Sequence, residues 1–240
     1  MTGVQNCYKG RMVLIKRKLG WSEEMVSAVC LGTMTMGIQV NEVQRSPYDF
    51  CFNSCDHLLA LISQVDSHAL LDYFVERGGN LIDTAEMYPA PASDSRWKPG
   101  LSEEIVGSWL AKHPEIRSKV LIATKVAGFS PSSETAGNRK LTLETGGERG
   151  ENGAPKPIPA RLDKASIIEA CEASLKRLQT TYIDLYQIHW PDRYCPIFGA
   201  LCYNPTKERP GSIPIAEQVA AVKELIESGK IRSVCVLHTC

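Results

Sequence analysis

The feature that most constrains this fold is an alternation of short apolar runs with segments of helical periodicity, which begins at Ala28. A strand followed repeatedly by a helix predicts parallel strands joined by right-handed crossovers. The chain is therefore predicted to adopt an α/β fold. The β-prone runs are Ala28–Leu31, Asn80–Thr84, Val120–Val126, Tyr182–His189 and Ile231–Leu237.

Between these runs, apolar residues recur at helical spacing. One predicted helix covers His68–Arg77 and ends at a Gly-Gly pair. Ser102 is expected to cap the next helix, and Asp163 the one after it. The residues predicted to face the core from the last two helices are Ile167, Cys171, Leu175 and Leu178, followed by Ile215, Val219, Val222, Leu225 and Ile226.

Two architectures fit this order, a (β/α) barrel and an open doubly wound sheet. No G-x-G-x-x-G follows the first strand, which counts against a nucleotide-binding doubly wound sheet. About five strands and four helices are predicted, whereas a complete barrel has about eight of each. We therefore expect a (β/α)8 TIM-barrel type fold that is incomplete at its carboxyl end. Ile82, Ala123 and Leu185, or their immediate neighbours, are expected to face the barrel interior and to be less covered than in a complete barrel.

The composition excludes several classes of partner. Lys and Arg together count 27, as do Asp and Glu, so net charge gives no reason to expect nucleic acid or an anionic membrane. No apolar run is long enough to span a bilayer. The basic amino-terminal segment has too short an apolar stretch for a secretion signal. We expect a cytoplasmic location, with a plastid as the second choice.

The nine cysteines are scattered and form no C-x-x-C pair, which indicates reduced thiols. Cys51, Cys55 and His57 approach the spacing of zinc ligands. Only three ligands cluster there, so we predict no metal site.

Polar side chains stand at or just beyond the carboxyl ends of successive predicted strands. Asp83 ends the second strand and Tyr88 follows in its loop. Lys125 lies at the end of the third strand and His189 at the end of the fourth. In a barrel these ends converge on the face that carries active sites. Each residue alone also fits a structural role, but four on successive strand ends favour a catalytic site.

These residue types suit the reduction of a carbonyl group. A tyrosine can supply the proton if its pKa falls from its usual value of about 10. The ammonium of Lys125 is expected to lower the pKa of Tyr88, with Asp83 holding that ammonium charged and oriented. His189 can donate a hydrogen bond to the carbonyl oxygen as negative charge develops there.

Several motifs resemble the aldo-keto reductase family, and within it the bacterial and plant Tas-like members. They are LGTMTMG, LIDTAEMYP, IATKV, SLKRLQTTYIDLYQIHWPDR and ESGKIR, in this order. The resemblance extends from about Ala28 to about Val236, apart from Val40–Gln64 and much of Ser130–Pro159. The long fourth motif is the most specific of them.

The resemblance implies NADP(H) as cofactor and a small aldehyde or ketone as substrate. Carried over by motif, Asp83, Tyr88, Lys125 and His189 form a catalytic tetrad in which Tyr88 is the acid. Asp83 also belongs to the implied cofactor site, and Trp190 to the substrate site. The other residues implied at the nicotinamide pocket are Gly32, Thr33 and Met34.

The chain also departs from the family pattern. Family members carry a Ser-Asn pair where this chain has Leu237 and His238, and later strands hold the adenosine 2′-phosphate. We interpret residues 28–240 as a partial aldo-keto reductase domain, preceded by a poorly matched extension at residues 1–27. We accordingly expect the chain to bind NADPH weakly or not at all. The alternative to an active reductase is an inactive truncated isoform or a cofactor-sensing relative, and the sequence does not define the oligomeric state.

Two segments interrupt the pattern. Removing Val40–Gln64 leaves a continuous family pattern, so residues 40–64 are interpreted as an insert retained from an intron. The alternative is a genuine surface loop. Ser130–Pro159 is rich in Gly, Pro, Ser and charge, and is predicted to be a long surface loop.

Overall fold

The computed structural model describes residues 14–20, 22–37, 64–90, 92, 97–130, 135, 160–197, 202–208 and 210–236. Seven strands and four α-helices lie in this part of the chain. Two of the strands form a small antiparallel hairpin, and the other five form the main sheet.

The main sheet is parallel throughout and has the order β3-β4-β5-β6-β7. Four of the predicted strands are confirmed as neighbours. The remaining strand, which was predicted at Ala28–Leu31, is shorter in the structure and lies later in the chain. Strand bounds are β3 (Leu31–Gly32), β4 (Leu81–Asp83), β5 (Leu121–Val126), β6 (Ile183–Ile188) and β7 (Ile231–Val236).

A helix lies between each pair of successive sheet strands, which is the connection that a parallel sheet requires. The helices are α1 (Gln64–Glu76), α2 (Leu101–Lys112), α3 (Lys164–Leu178) and α4 (Ile215–Glu227). This order confirms the predicted fold of (β/α) barrel type, with five parallel strands in the described part. Short 3-10 turns occupy Pro114–Ile116 and Pro205–Lys207.

The two helix caps predicted from the sequence have different outcomes. Asp163 caps α3 as predicted, because its carboxylate accepts a hydrogen bond from the Ser166 amide at 2.9 Å. The prediction that Ser102 caps α2 is wrong, because Gly100 occupies that position in a left-handed conformation. Ser102 lies inside the helix and is buried. Glu103 and Glu104 lie in the first turn of α2, where negative charge favours the helix dipole.

The helix faces were predicted correctly for α3 but only in part for α4. Ile167, Cys171, Leu175 and Leu178 are all buried. On α4, by contrast, the buried residues are Gln218, Ala221, Val222 and Leu225. The remaining predicted core residues form an exposed apolar stripe, because described elements pack against only one side of this helix. The residues of that stripe are Ile215, Val219 and Ile226.

A β-hairpin precedes the sheet and was not predicted from the sequence. Strands β1 (Lys16–Lys18) and β2 (Met25–Ser27) pair antiparallel. Asn80 joins this hairpin to the start of β4, since its side chain accepts from the Ser27 amide at 2.6 Å and donates to the Met25 carbonyl at 2.8 Å. The charged β1 sequence KRK lacks the apolar alternation that marks a strand.

The strand register shows which side chains face the barrel interior. Asp83, Ala123 and Leu185 are aligned across the sheet. At the first of the predicted positions the interior residue is the immediate neighbour Asp83 and not Ile82, because neighbours along a strand point to opposite faces. Ile82 is fully buried in the core between the sheet and the helices. Ala123 is also buried, whereas Leu185 is half-buried.

Several sequence expectations fall outside the described residues. They include Cys51, Cys55 and His57, the departure at Leu237 and His238, and most of the segments 40–64 and 130–159. Ser130 is described, and it forms an isolated bridge with Ala160. Within the described ranges, every helix is too short or too polar to cross a membrane.

The register predicts unequal effects for two truncations of similar size. Ile82→Ala should lower the free energy of unfolding by about 2–5 kcal/mol, because it leaves a cavity in a closed part of the core. Leu185→Ala should cost clearly less, because water already reaches that side chain. Urea denaturation of both variants measures the difference. Equal losses would contradict the assignment of the two faces.

Candidate active site

Four predicted catalytic side chains meet where β4, β5 and β6 end, and are called here the strand-end cluster. Asp83 is the last residue of β4, and Lys125 is the fifth of the six residues in β5. His189 directly follows β6, and Tyr88 lies in the loop after β4. Because the strands are parallel, their carboxyl ends lie at one edge of the sheet, as the sequence predicted.

Lys125 is the centre of this cluster. Its ammonium donates to a carboxylate oxygen of Asp83 at 2.6 Å and to the Thr84 carbonyl at 2.7 Å. The lysine side chain is 4% exposed and the aspartate 27%. An ammonium this deeply buried requires such partners, since an unpaired charge would be strongly destabilising. Asp83 therefore fixes the position of the Lys125 charge.

Tyr88 lies between this ammonium and the imidazole of His189. Its phenolic oxygen is 3.5 Å from the Lys125 nitrogen, at the outer limit of a hydrogen bond. The rings of Tyr88 and His189 have centroids 5.8 Å apart and meet edge to face. A small group beside the phenol could therefore contact both the tyrosine hydroxyl and the histidine ring.

The electrostatic prediction for Tyr88 is wrong for the protein without ligand. Burial, and then the charge of Asp83, raise the pKa of Tyr88 to about 12. Burial also lowers the pKa of Lys125, although Asp83 opposes that shift. Because the ammonium shares its charge with a neighbouring carboxylate, the phenol does not experience an isolated cation. Tyr88 is thus a protonated phenol at neutral pH.

Gln187 is a member of the site that the sequence reading missed. Its amide donates to the second carboxylate oxygen of Asp83 at 2.9 Å, so both oxygens of that group are held. Gln187 precedes His189 by two residues along β6, and alternation places both on the same face. The spacing of two residues from His189 could have identified Gln187, but only the histidine was predicted as a site residue.

The loop that carries Tyr88 is attached to the start of α2. The amides of Gly100 and Ser102 donate to the Tyr88 carbonyl at 3.0 and 3.4 Å. The Ser102 hydroxyl lies within hydrogen-bond distance of the Thr33 and Met36 carbonyls, at 3.0 and 2.8 Å. The first turn of α2 therefore holds both the loop after β3 and the loop after β4.

The residues predicted for the cofactor lie next to this cluster. The Thr33 amide donates to the Asp83 carbonyl at 2.9 Å, while the Met34 side chain is exposed. A Cβ on Gly32 would meet no atom within 4 Å, so there is open space above this residue. The hydroxyls of Thr33 and Thr84 are buried and have no hydrogen-bond partner in the described structure. This open, partly polar surface fits a flat nicotinamide ring.

Trp190, predicted to line a substrate site, is packed behind His189. The two ring centroids are 5.0 Å apart, and the indole nitrogen donates to the Phe129 carbonyl at 2.9 Å. The indole is buried against Ala127 and Cys195. In this position Trp190 supports the histidine ring.

No group of three or more His, Cys, Asp or Glu side chains within the described ranges could hold a metal ion. The carboxylate of Asp83 is engaged by an amine and an amide instead.

Comparison with known proteins identifies the family. The family model described as "Aldo/keto reductase family" matches residues 28–238. Protein tas of Escherichia coli (strain K12) is 40% identical over 211 residues, covering 88% of this chain and 48% of that protein. Norsolorinic acid reductase B of Aspergillus parasiticus is 29% identical over 206 residues, covering 86% and 38% respectively.

A solved structure agrees with these matches. The aldo-keto reductase AKR11C1 from Bacillus halodurans (holo form) is similar with a TM-score of 0.53 and 27% identity, covering 93% of this chain and 50% of that one. The chain thus spans about half the length of the relatives named here. The motifs, the strand-end cluster and the family match agree, and the chain belongs to the aldo/keto reductase family.

Proposed function

We propose that this chain carries the proton-donating half of a carbonyl reductase site, which reduces an aldehyde or ketone with NADPH. The observation that carries the proposal is the strand-end cluster, in which Tyr88 adjoins both Lys125 and His189. A phenol, a paired ammonium and an imidazole around one opening can donate hydrogen bonds to a single oxygen. The choice of NADPH over NADH rests on the resemblance of the motifs to the family.

A bound nicotinamide would supply hydride to the carbonyl carbon, and Gly32, Thr33 and Met34 would border its ring. The remaining steps belong to the protein's own side chains. Tyr88 donates its proton to the carbonyl oxygen, where negative charge develops. The phenolate that forms lies 3.5 Å from the Lys125 ammonium, which stabilises it. His189 orients the oxygen from the other side.

The raised pKa of Tyr88 is compatible with this role. A phenol with a pKa of about 12 keeps its proton at neutral pH. Burial is the largest cause of this raised pKa, and the charge that adds to it comes from Asp83, which is paired with Lys125 and Gln187. Tyr88 therefore stays protonated until negative charge develops on the carbonyl oxygen of the substrate, and it then donates its proton to that oxygen.

In a version of the chain extended to the length of its relatives, Tyr88→Phe should reduce the turnover number for carbonyl reduction by about 10²–10⁴-fold, because the ring remains while the proton donor is lost. NADPH affinity, measured by fluorescence titration, should be nearly unchanged. Tyr186→Phe is the matched control, since Tyr186 is a buried tyrosine on the opposite face of the sheet, beside α3. Retention of most turnover in Tyr88→Phe would show that Tyr88 is not the acid.

The pH dependence of the reaction rate follows from the direction in which the pKa of Tyr88 is shifted. Reduction needs the protonated phenol, so a pKa of about 12 predicts no loss of rate from Tyr88 through neutral pH. Alcohol oxidation needs the phenolate, so its rate should rise with pH. Rate profiles in both directions measure this. If the rate of reduction falls at alkaline pH because Lys125 loses its charge, Lys125→Arg should abolish that fall. A fall in the rate of reduction near neutral pH that persists in this variant would refute the assignment of Tyr88 as the acid.

A further inference from the structure

A buried ion pair lies behind the strand-end cluster, between α2 and α3. The guanidinium Nε of Arg177 donates to one carboxylate oxygen of Glu103 at 2.6 Å. The arginine side chain is 17% exposed and the glutamate side chain is fully buried. Neither residue touches the cluster directly, and no step of the proposed reaction uses them.

The glutamate connects this pair to the strand that carries Lys125. The second carboxylate oxygen of Glu103 accepts a hydrogen bond from the Thr124 hydroxyl at 2.5 Å. Thr124 and Lys125 are consecutive in β5 and point to opposite faces of the sheet. A shift of Glu103 would therefore act on the backbone from which Lys125 extends.

The arginine connects the same pair to the loop that carries Tyr88. Gly100 packs directly on Arg177, because a Cβ at this position would collide with the arginine Cδ and Nε. The Gly100 amide holds the Tyr88 carbonyl at 3.0 Å. The guanidinium thus lies beneath the residue that fixes the tyrosine backbone.

Both groups of the pair are strongly constrained. Burial lowers the pKa of Arg177, but the charge and hydrogen bond of Glu103 outweigh burial and leave that pKa raised overall. The guanidinium also lies within hydrogen-bond distance of Ser174 at 3.2 Å. A planar group held at Glu103 and Ser174 cannot be replaced by a lysine ammonium without loss of contacts.

We propose that the Arg177–Glu103 ion pair is a positioning device that sets the approach of Tyr88 to Lys125. It links both catalytic groups to one rigid point between two helices, through Gly100 on one side and Thr124 on the other. Its catalytic consequence rests on the proposed function of the strand-end cluster. Its structural consequence, the placement of the Tyr88 ring, does not.

A second ion pair provides a matched control. Arg117 and Asp184 are 2.8 Å apart and similarly buried, with 13% and 3% of their side chains exposed. Asp184 is the second residue of β6, so this pair lies toward the opposite end of the sheet from the strand-end cluster. Arg117 also stacks on the ring of Tyr182 at 3.8 Å, so it has a tyrosine reporter of its own.

The test compares Arg177→Lys, Glu103→Gln and Arg117→Lys in the 240-residue chain labelled with 3-fluorotyrosine. Fluorine NMR reports each ring, and Tyr88→Phe and Tyr182→Phe assign the two relevant signals among the eight tyrosines. We expect Arg177→Lys and Glu103→Gln to shift or broaden the Tyr88 signal and to leave Tyr182 unchanged. Arg117→Lys should do the reverse. Urea midpoints show whether the three variants lose comparable stability.

In the reduction assay, Arg177→Lys should lower kcat at least about tenfold with little change in KM, because a small displacement of a catalytic group impairs the chemical step. Absence of reduction in the otherwise unmodified extended version would refute the proposed function and leave the NMR result, obtained with the 240-residue chain, to decide the positioning role. That role is overturned if Tyr88 is unmoved in folded Arg177→Lys and Glu103→Gln, or if Arg117→Lys moves it equally. It is also overturned if both variants fail to fold while Arg117→Lys folds, since the pair would then serve the fold alone.

Discussion

The parallel register of β4, β5 and β6 is the constraint on which the site depends. It pairs Asp83 with Ala123 and Lys125 with Gln187. Asp83 therefore lies within reach of both the lysine and the glutamine. Moving one strand by a single residue would turn its interior side chains toward the helices. The buried lysine would then lose its carboxylate, at a cost of several kcal/mol.

Strands and helices could be predicted from the sequence because their signals are local. Apolar runs such as VLIATKV and helical repeats such as that of α3 depend on neighbours in the chain. The same logic placed Asp83, Lys125 and His189 at strand ends. It missed the hairpin of β1 and β2, because the charged strand Lys16–Lys18 is held by pairing with β2, which Asn80 in turn holds through Met25 and Ser27.

Asp83, Tyr88, Lys125 and His189 were predicted to lie together, but Gln187 and the electrostatics of the site were not predicted. Sequence identifies a lysine near a tyrosine, but the pKa of the phenol depends on burial and on the net charge of a pair. Gln187, Ser102 and the Arg177–Glu103 pair contribute through contacts between elements distant in sequence, for which a single sequence has no periodic signal. Ser102 is an example. Serine is a typical helix-capping residue, but Ser102 lies inside α2 and bridges two loops.

The exposed stripe on α4 has a consequence for the handling of the protein. Ile215, Val219 and Ile226 present adjacent apolar side chains to water on one side of the helix. Salts that are excluded from protein surfaces strengthen contacts between such patches, whereas they have less effect on evenly charged surfaces. The chain should therefore salt out at lower ammonium sulfate concentration than its balanced charge suggests, and replacing Val219 with a lysine should raise that threshold.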